Sequence, residues 1–256
     1  MSRKKEKNVY LNTRLLDENT PFAVREAFNQ LRTNLMYTVT EQDCAPIFAV
    51  TSADEGEGKS NTIANLALSF AQISKKVLLI DGDLRCPTQY RIFSLDRNHV
   101  GLSELITGIE TDVIQKDVQP GLDIILSGRI PPNPSELITS PQFVTRLAEL
   151  RSQYDIIFID FPPIGIVADA VAVCKNISGY IFTIRSGKDS SKKIESAVDA
   201  MEQVGAKIVG IVLNDYGLKG GGKYNYATSR YGQVNSRYEH SATEARKQAQ
   251  SEEAKK

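Results

Sequence analysis

The chain has 256 residues, 41% of them hydrophobic, with 31 Lys and Arg against 31 Asp and Glu; this suits one large domain or two small ones, and zero net charge carries no nucleic-acid signature. Three dispersed cysteines and two histidines exclude a disulfide framework and leave no readable zinc site. No apolar run approaches the ~20 residues that cross a bilayer, and the basic start lacks the apolar stretch of a secretory signal, so a cytoplasmic protein is expected.

Residues 1–19 open with Arg3, Lys4, Lys5 and Lys7 against Glu6, read as a solvated, flexible start. Thr20–Pro21 then has the form of an N-cap followed by proline at the first helical position. Val24, Phe28, Leu31, Leu35 and Val39 recur at helical spacing over about 20–39, with Glu26, Asn29 and Arg32 on another face. Six short apolar runs follow: Ile47–Val50, Val77–Ile80, Leu122–Leu126, Ile156–Ile159, Tyr180–Ile184 and Ile208–Leu213. Their length and β-branched content predict strands buried on both faces. Helical patterns over Ser60–Ile73, Ser135–Gln153 and Ser190–Val204 alternate with them. The prediction is an α/β fold of the P-loop NTPase kind: a doubly wound, mostly parallel sheet with helices on both faces, spanning 20–215.

Three elements carry chemistry. The run Ala53–Asp54–Glu55–Gly56–Glu57–Gly58–Lys59–Ser60, between a strand and a helix, has the form [AG]-x-x-x-x-G-K-[ST]. Its glycines let backbone N–H groups turn toward phosphate oxygens, the helix start adds partial positive charge, and Lys59 adds a full one. Ser60 suits Mg²⁺ coordination, and Asn61 completes the loop's exit. Asp81 and Asp83 lie two residues apart at a strand's end and share one side; one suits a metal and the other a proton. Asp160 closes the run Ile156–Ile159 ahead of Pro162 and Pro163, as a Walker B aspartate does.

From residue 216 the apolar pattern stops. Five of the ten tyrosines, Tyr216, Tyr224, Tyr226, Tyr231 and Tyr238, fall in residues 216–256 among Gly, Lys, Asn, Ser and Thr. That composition predicts a flexible tail carrying a tyrosine cluster.

Deviant Walker ATPases, which partition chromosomes or place division sites, would share this layout. They carry lysine as the second residue of the loop, where this chain has Asp54. The runner-up reading, a nucleotide-switched regulatory ATPase acting by partner binding, loses support accordingly. The ordered set of phosphate loop, Asp81-x-Asp83-x-Arg85 and Asp160-x-x-Pro163 resembles the bacterial tyrosine kinases of capsule and exopolysaccharide synthesis. Gly101–Gly108, Ser127–Leu137 and the tyrosine-rich end extend the likeness.

That resemblance implies an ATP-dependent kinase that phosphorylates its own tail in trans. It implies phosphate binding by Lys59 and Ser60, Mg²⁺ organised by Asp81 and Asp160, and Asp83 as the base for the tyrosine hydroxyl. Arg85 would neutralise charge on the transferred group, and Asn214 would contact adenine. It further implies a membrane-embedded activator of polysaccharide chain-length control, which recruits the kinase to the inner face of the membrane, and a cognate tyrosine phosphatase. The family's ring contact is an E-x-x-R-x-x-R motif on the first helix. Here it reads Glu26, Asn29, Arg32, so a homo-oligomeric ring is expected to be weakened: asparagine cannot pair with a carboxylate as arginine does.

Overall fold

The computed structural model describes residues 15–38, 44–188 and 190–215. Its strands are β1 (Ile47–Ser52), β2 (Val77–Asp81), β3 (Gln115–Gln119), β4 (Leu122–Ile125), β5 (Ile156–Asp160), β6 (Gly179–Arg185) and β7 (Ile208–Asn214). Its helices are α1 (Phe22–Thr38), α2 (Lys59–Ala71), α3 (Gln89–Ile92), α4 (Leu102–Thr107), α5 (Pro134–Ile138), α6 (Pro141–Arg151), α7 (Asp169–Ala172) and α8 (Ser191–Gln203). None of the described helices is long and apolar enough to cross a membrane.

Every residue of β1, β2, β4 and β5 is buried, because helices cover both faces of the sheet. Successive side chains point to opposite faces. Phe48, Val50, Leu79 and Phe158 meet Ile63, Leu66 and Phe70 of α2 and Leu35 of α1. Ile47, Leu78, Ile80 and Ile157 share the other core with Leu105 of α4, Phe143 of α6 and Met201 of α8. The seven strands run in the order β3-β4-β2-β5-β1-β6-β7, all parallel except β3, which pairs antiparallel with β4. The expected doubly wound, mostly parallel sheet is therefore present.

Strand order decides the geometry of the site. β5 lies between β1 and β2, so the end of β5 meets both of theirs. Asp160 is in register with Val50 of β1 on one side and with Asp81 of β2 on the other.

Four local readings are corrected. β3 escaped detection because its sequence, QKDVQ, is polar; it is a half-exposed edge strand with a bulged register, where lysine and irregular pairing discourage edge-to-edge association. The helix expected over Ser135–Gln153 is two, because Pro141 starts a new one: the residue before a proline is driven out of helical geometry, and Ser140 (ψ 150°) accepts from the Phe143 N–H as the cap of α6. Helix α1 starts at Phe22, with the Pro21 carbonyl accepting from Val24 and Arg25; the Thr20 hydroxyl donates to Asp17 Oδ1 at 2.8 Å. Last, β7 is an edge strand with Ile211 and Leu213 exposed, not the doubly buried strand its apolar run predicts.

Candidate active site

Between β1 and α2 runs the glycine-rich loop expected to hold phosphate. Gly58 has φ +88°, and a Cβ there would lie 1.9 Å from Asn214 Nδ2, so conformation and space both require glycine. Asn214 reaches the loop from the end of β7 and donates to the Glu57 carbonyl at 3.1 Å. Glu57 is buried, and its Oε1 accepts from the Asp54 N–H at 3.1 Å. Three cations brace the loop from outside: Arg185 donates to Gly56 O at 3.1 Å, Lys188 to Glu55 O, and Lys193 pairs with Asp54 at 2.6 Å. The hydrogen bond from Lys193 holds the Asp54 carboxyl below the usual range. Sequence reading missed all three cations, because they come from the β6–α8 segment, more than 120 residues downstream (185 − 56 = 129).

The predicted loop residues therefore divide. Glu55, Gly56, Gly58, Lys59, Ser60 and Asn61 line a cavity of about 400 Å³. The side chains of Ala53, Asp54 and Glu57 are used in packing and bracing instead. Asp83 and Arg85 stand on the same cavity, facing an apolar wall of Ile92, Pro162, Pro163, Ile166 and Val167. One space thus brings together the glycine-rich loop with Lys59, a carboxylate and an apolar surface.

The acids beneath are deeply set. Asp81 is fully buried, and its Oδ2 accepts from the N–H groups of Thr88 (3.1 Å) and Gln89 (3.0 Å). Asp160, equally buried, accepts at Oδ2 from Gln89 Nε2 (2.9 Å) and bonds the Ser60 hydroxyl. Desolvation pushes both carboxyls upward, Asp81 well above the usual range. The Asp160 charge adds to the shift at Asp81, whereas Lys59 restrains Asp160. Among the described residues the Oδ1 atoms of Asp81 and Asp160 are buried without a hydrogen-bond partner. Two crowded carboxylates with open oxygens beside a serine hydroxyl form a hard oxygen donor set, which suits a hydrated Mg²⁺.

Asp83 sits differently. Its Oδ1 accepts from the N–H groups of Arg85 (3.2 Å) and Cys86 (2.9 Å), which fixes the carboxylate at the cavity wall. Arg85 is also held: its Nε pairs with Asp169 Oδ2 at 3.1 Å, and a second guanidinium nitrogen donates to Ser135 Oγ at 2.7 Å. Ser135 in turn donates to Asp169 Oδ1 at 2.6 Å. This network joins the predicted Asp81-x-Asp83-x-Arg85 element to the Ser127–Leu137 stretch.

The α1 triad is half-buried, and only Arg32 reaches another element. Asn29 Nδ2 donates to Glu26 Oε1 at 2.8 Å, and Arg32 donates to Ser69 O in the last turn of α2. Asp215, the last described residue, pairs with Arg185, the same side chain that braces the phosphate loop at Gly56 O. Tyr216, Tyr224, Tyr226, Tyr231 and Tyr238 lie outside the described residues.

Similarity to known proteins agrees with this geometry. The AAA domain family AAA_31 matches residues 45–178. Tyrosine-protein kinase CpsD of Streptococcus agalactiae serotype III is 36% identical over 209 residues, covering 81% of this chain and 85% of that protein. The kinase domain of Escherichia coli tyrosine kinase ETK superposes with a TM-score of 0.70 at 33% identity, over 78% of this chain and 82% of that one. The chimerical protein CapA2B2 gives 0.69 at 37% identity, over 73% and 83%. Shared sequence along most of its length, on a shared fold with the acids in register, makes this chain a member of the bacterial tyrosine-kinase family.

Proposed function

We propose that this chain transfers the γ-phosphoryl group of ATP to tyrosines of its own C-terminal cluster, in trans, and so regulates capsule or exopolysaccharide synthesis. The observation that carries the reading is the single cavity in which Lys59, Ser60 and Asp83 face an apolar wall, with Asp81 and Asp160 in register beneath. The kinase domain is 20–215, flanked by 1–19 and by the tyrosine-bearing 216–256.

In this mechanism the loop N–H groups and Lys59 hold the ATP phosphates, and Asn214, which braces the loop from the end of β7, contacts the adenine. Ser60, Asp81 and Asp160 are the residues that would hold Mg²⁺, which when bound neutralises charge on the β- and γ-phosphates. A tyrosine phenol, with a pKa near 10, is almost wholly protonated at neutral pH. Its ring rests on the Pro162–Pro163 wall and its hydroxyl proton passes to Asp83. The phenolic oxygen bonds to the γ-phosphorus as the bond to the β–γ bridging oxygen breaks, and ADP leaves. Asp83 is already oriented by two backbone N–H groups, so little reorganisation is needed. Arg85, anchored by Asp169, places a fixed positive charge at the cavity edge.

The partners proposed are a membrane-embedded activator of polysaccharide chain-length control, which brings the chain to the inner face of the membrane, and a cognate tyrosine phosphatase. Ring assembly through Glu26, Asn29 and Arg32 requires groups now engaged within the protomer, which supports a weak ring.

The test is to incubate the chain with labelled ATP, Mg²⁺ and an activator fragment, then map phosphotyrosine by mass spectrometry. Label is expected on Tyr224, Tyr226, Tyr231 or Tyr238, and on an inactive Lys59→Met chain mixed with active chain. Asp83→Ala should lower transfer by about 10²–10⁴-fold, the usual worth of a general base, with nucleotide binding retained. Vigorous ATP hydrolysis without phosphotyrosine would refute the kinase reading.

A further inference from the structure

The metal-site acids are held by a residue outside every motif. Gln89, the first residue of α3, is fully buried and touches all three residues assigned to Mg²⁺. Its N–H donates to Asp81 Oδ2 at 3.0 Å, and its Nε2 donates to Asp160 Oδ2 at 2.9 Å and to Ser60 O at 3.2 Å. Those partners come from β2, β5 and the start of α2, three segments that Gln89 ties together. We propose that Gln89 is the positioning residue of the metal site: its backbone N–H holds Asp81 while its side-chain amide sets Asp160 and the Ser60 turn in their working arrangement before nucleotide and Mg²⁺ arrive.

Three features support it. First, Gln89 occupies Oδ2 of Asp160 with its amide and Oδ2 of Asp81 with its backbone, and Oδ1 of both acids is left buried and unpartnered among the described residues. The hydrogen bonds thus select the orientation in which each acid keeps one oxygen for a cation. Second, the amide is the suitable chemical group. A lysine or arginine would satisfy the Asp160 carboxylate but compete with the cation, a glutamate would add a third negative charge, and an apolar side chain would remove the amide from buried Asp160. Third, Gln89 Oε1 is itself buried and unpartnered, which places a further neutral acceptor beside the same acids, as a coordinated water would require.

This role rests on the Mg²⁺-dependent kinase reading, and the experiment separates the two. The measurement is the affinity of a fluorescent ADP analogue for the full chain, with and without Mg²⁺, for wild type, Gln89→Met and Gln89→Asn, each checked by thermal melting. Metal-free binding is governed by the loop and Lys59, and should be equal in all three. The added affinity conferred by Mg²⁺ should fall by about 10–100-fold in Gln89→Met, as loss of an outer-shell partner does, and by less in Gln89→Asn, which keeps the amide on a shorter stem. In the phosphotransfer assay, excess Mg²⁺ should restore kcat to Gln89→Met. An unchanged Mg²⁺ increment, or an equal loss with and without Mg²⁺, overturns the proposal and leaves Gln89 a packing residue. If Gln89→Met does not fold, Gln89→Asn decides by the same comparison. A wild-type chain with a normal Mg²⁺ increment but no phosphotyrosine would sink the kinase reading while the role of Gln89 in the metal site stood.

Discussion

Asp81→Asn should stabilise the nucleotide-free protein while abolishing its chemistry. Asp81 and Asp160 are in register on adjacent parallel strands, and both are cut off from solvent. Adjacent strands lie about 4.8 Å apart, and two unit charges about 5 Å apart at an effective dielectric near 20 repel by about 3 kcal/mol. Asparagine keeps an oxygen for the Thr88 and Gln89 N–H groups and offers its new amide to the unpartnered Oδ1 of Asp160. An imperfect fit of that amide costs part of the gain, so a net stabilisation of about 1–3 kcal/mol is expected at neutral pH and above. For about 200 ordered residues each kcal/mol moves Tm by about 2–4 °C.

The pH dependence has a definite sign. Burial raises the native Asp81 carboxyl well above its ordinary value, while the unfolded carboxyl titrates near 4. Its contribution to stability is therefore fully present below about pH 4 and lost as pH rises through the native value. The variant suffers no such loss at this position. The gap in Tm between variant and wild type should open as pH rises from about 5 to about 8, in melts run with EDTA. Adding Mg²⁺ and ADP should stabilise the wild type more than the variant and narrow that gap. A variant no more stable than wild type near pH 8, or a gap independent of pH, would refute the reasoning.

Two further outcomes follow from single residues. Gly58→Ala must place a Cβ at φ +88°, 1.9 Å from Asn214 Nδ2; it should cost at least about 1–2 kcal/mol in the loop and abolish detectable ATP binding by calorimetry, whereas Gly108→Ala, with φ +73° but open space at its Cβ, should leave ATP binding intact. Asn29→Arg restores the middle arginine of the α1 pattern, and sedimentation velocity at matched concentration should show a larger oligomeric fraction; an unchanged distribution would remove α1 from the assembly.

Much of the fold was legible because its signals are local. The runs that became β1, β2, β4 and β5 are continuously apolar, and that pattern follows from burial on both faces. Polar β3 gave no such signal, and β7 gave a misleading one, since its apolar residues serve an edge where Ile211 and Leu213 stay exposed. Pro141 carried the break between α5 and α6 in plain view. Its effect was masked by apolar spacing that continues through both helices.

Within the site, Lys59, Ser60, Asp81, Asp83 and Asp160 were readable for one reason. Phosphate binding, metal binding and proton transfer each require particular side chains at the end of a strand or the start of a helix, and those are short-range features. Gln89 was not readable, because an uncharged residue at the entry of a four-residue helix has no distinguishing spacing. The Arg85–Asp169–Ser135 network and the bracing by Arg185, Lys188 and Lys193 were hidden too, since each joins segments distant along the chain.

The sequence by itself determined which chemical groups exist and that each lies at the open end of a strand. Only the tertiary structure decided which of them meet. Placing β5 between β1 and β2 sets Asp160 against Asp81 and under Ser60, and no local pattern encodes that order. It arises because each strand must find apolar neighbours on both sides and both faces, a condition satisfied only by the assembled sheet.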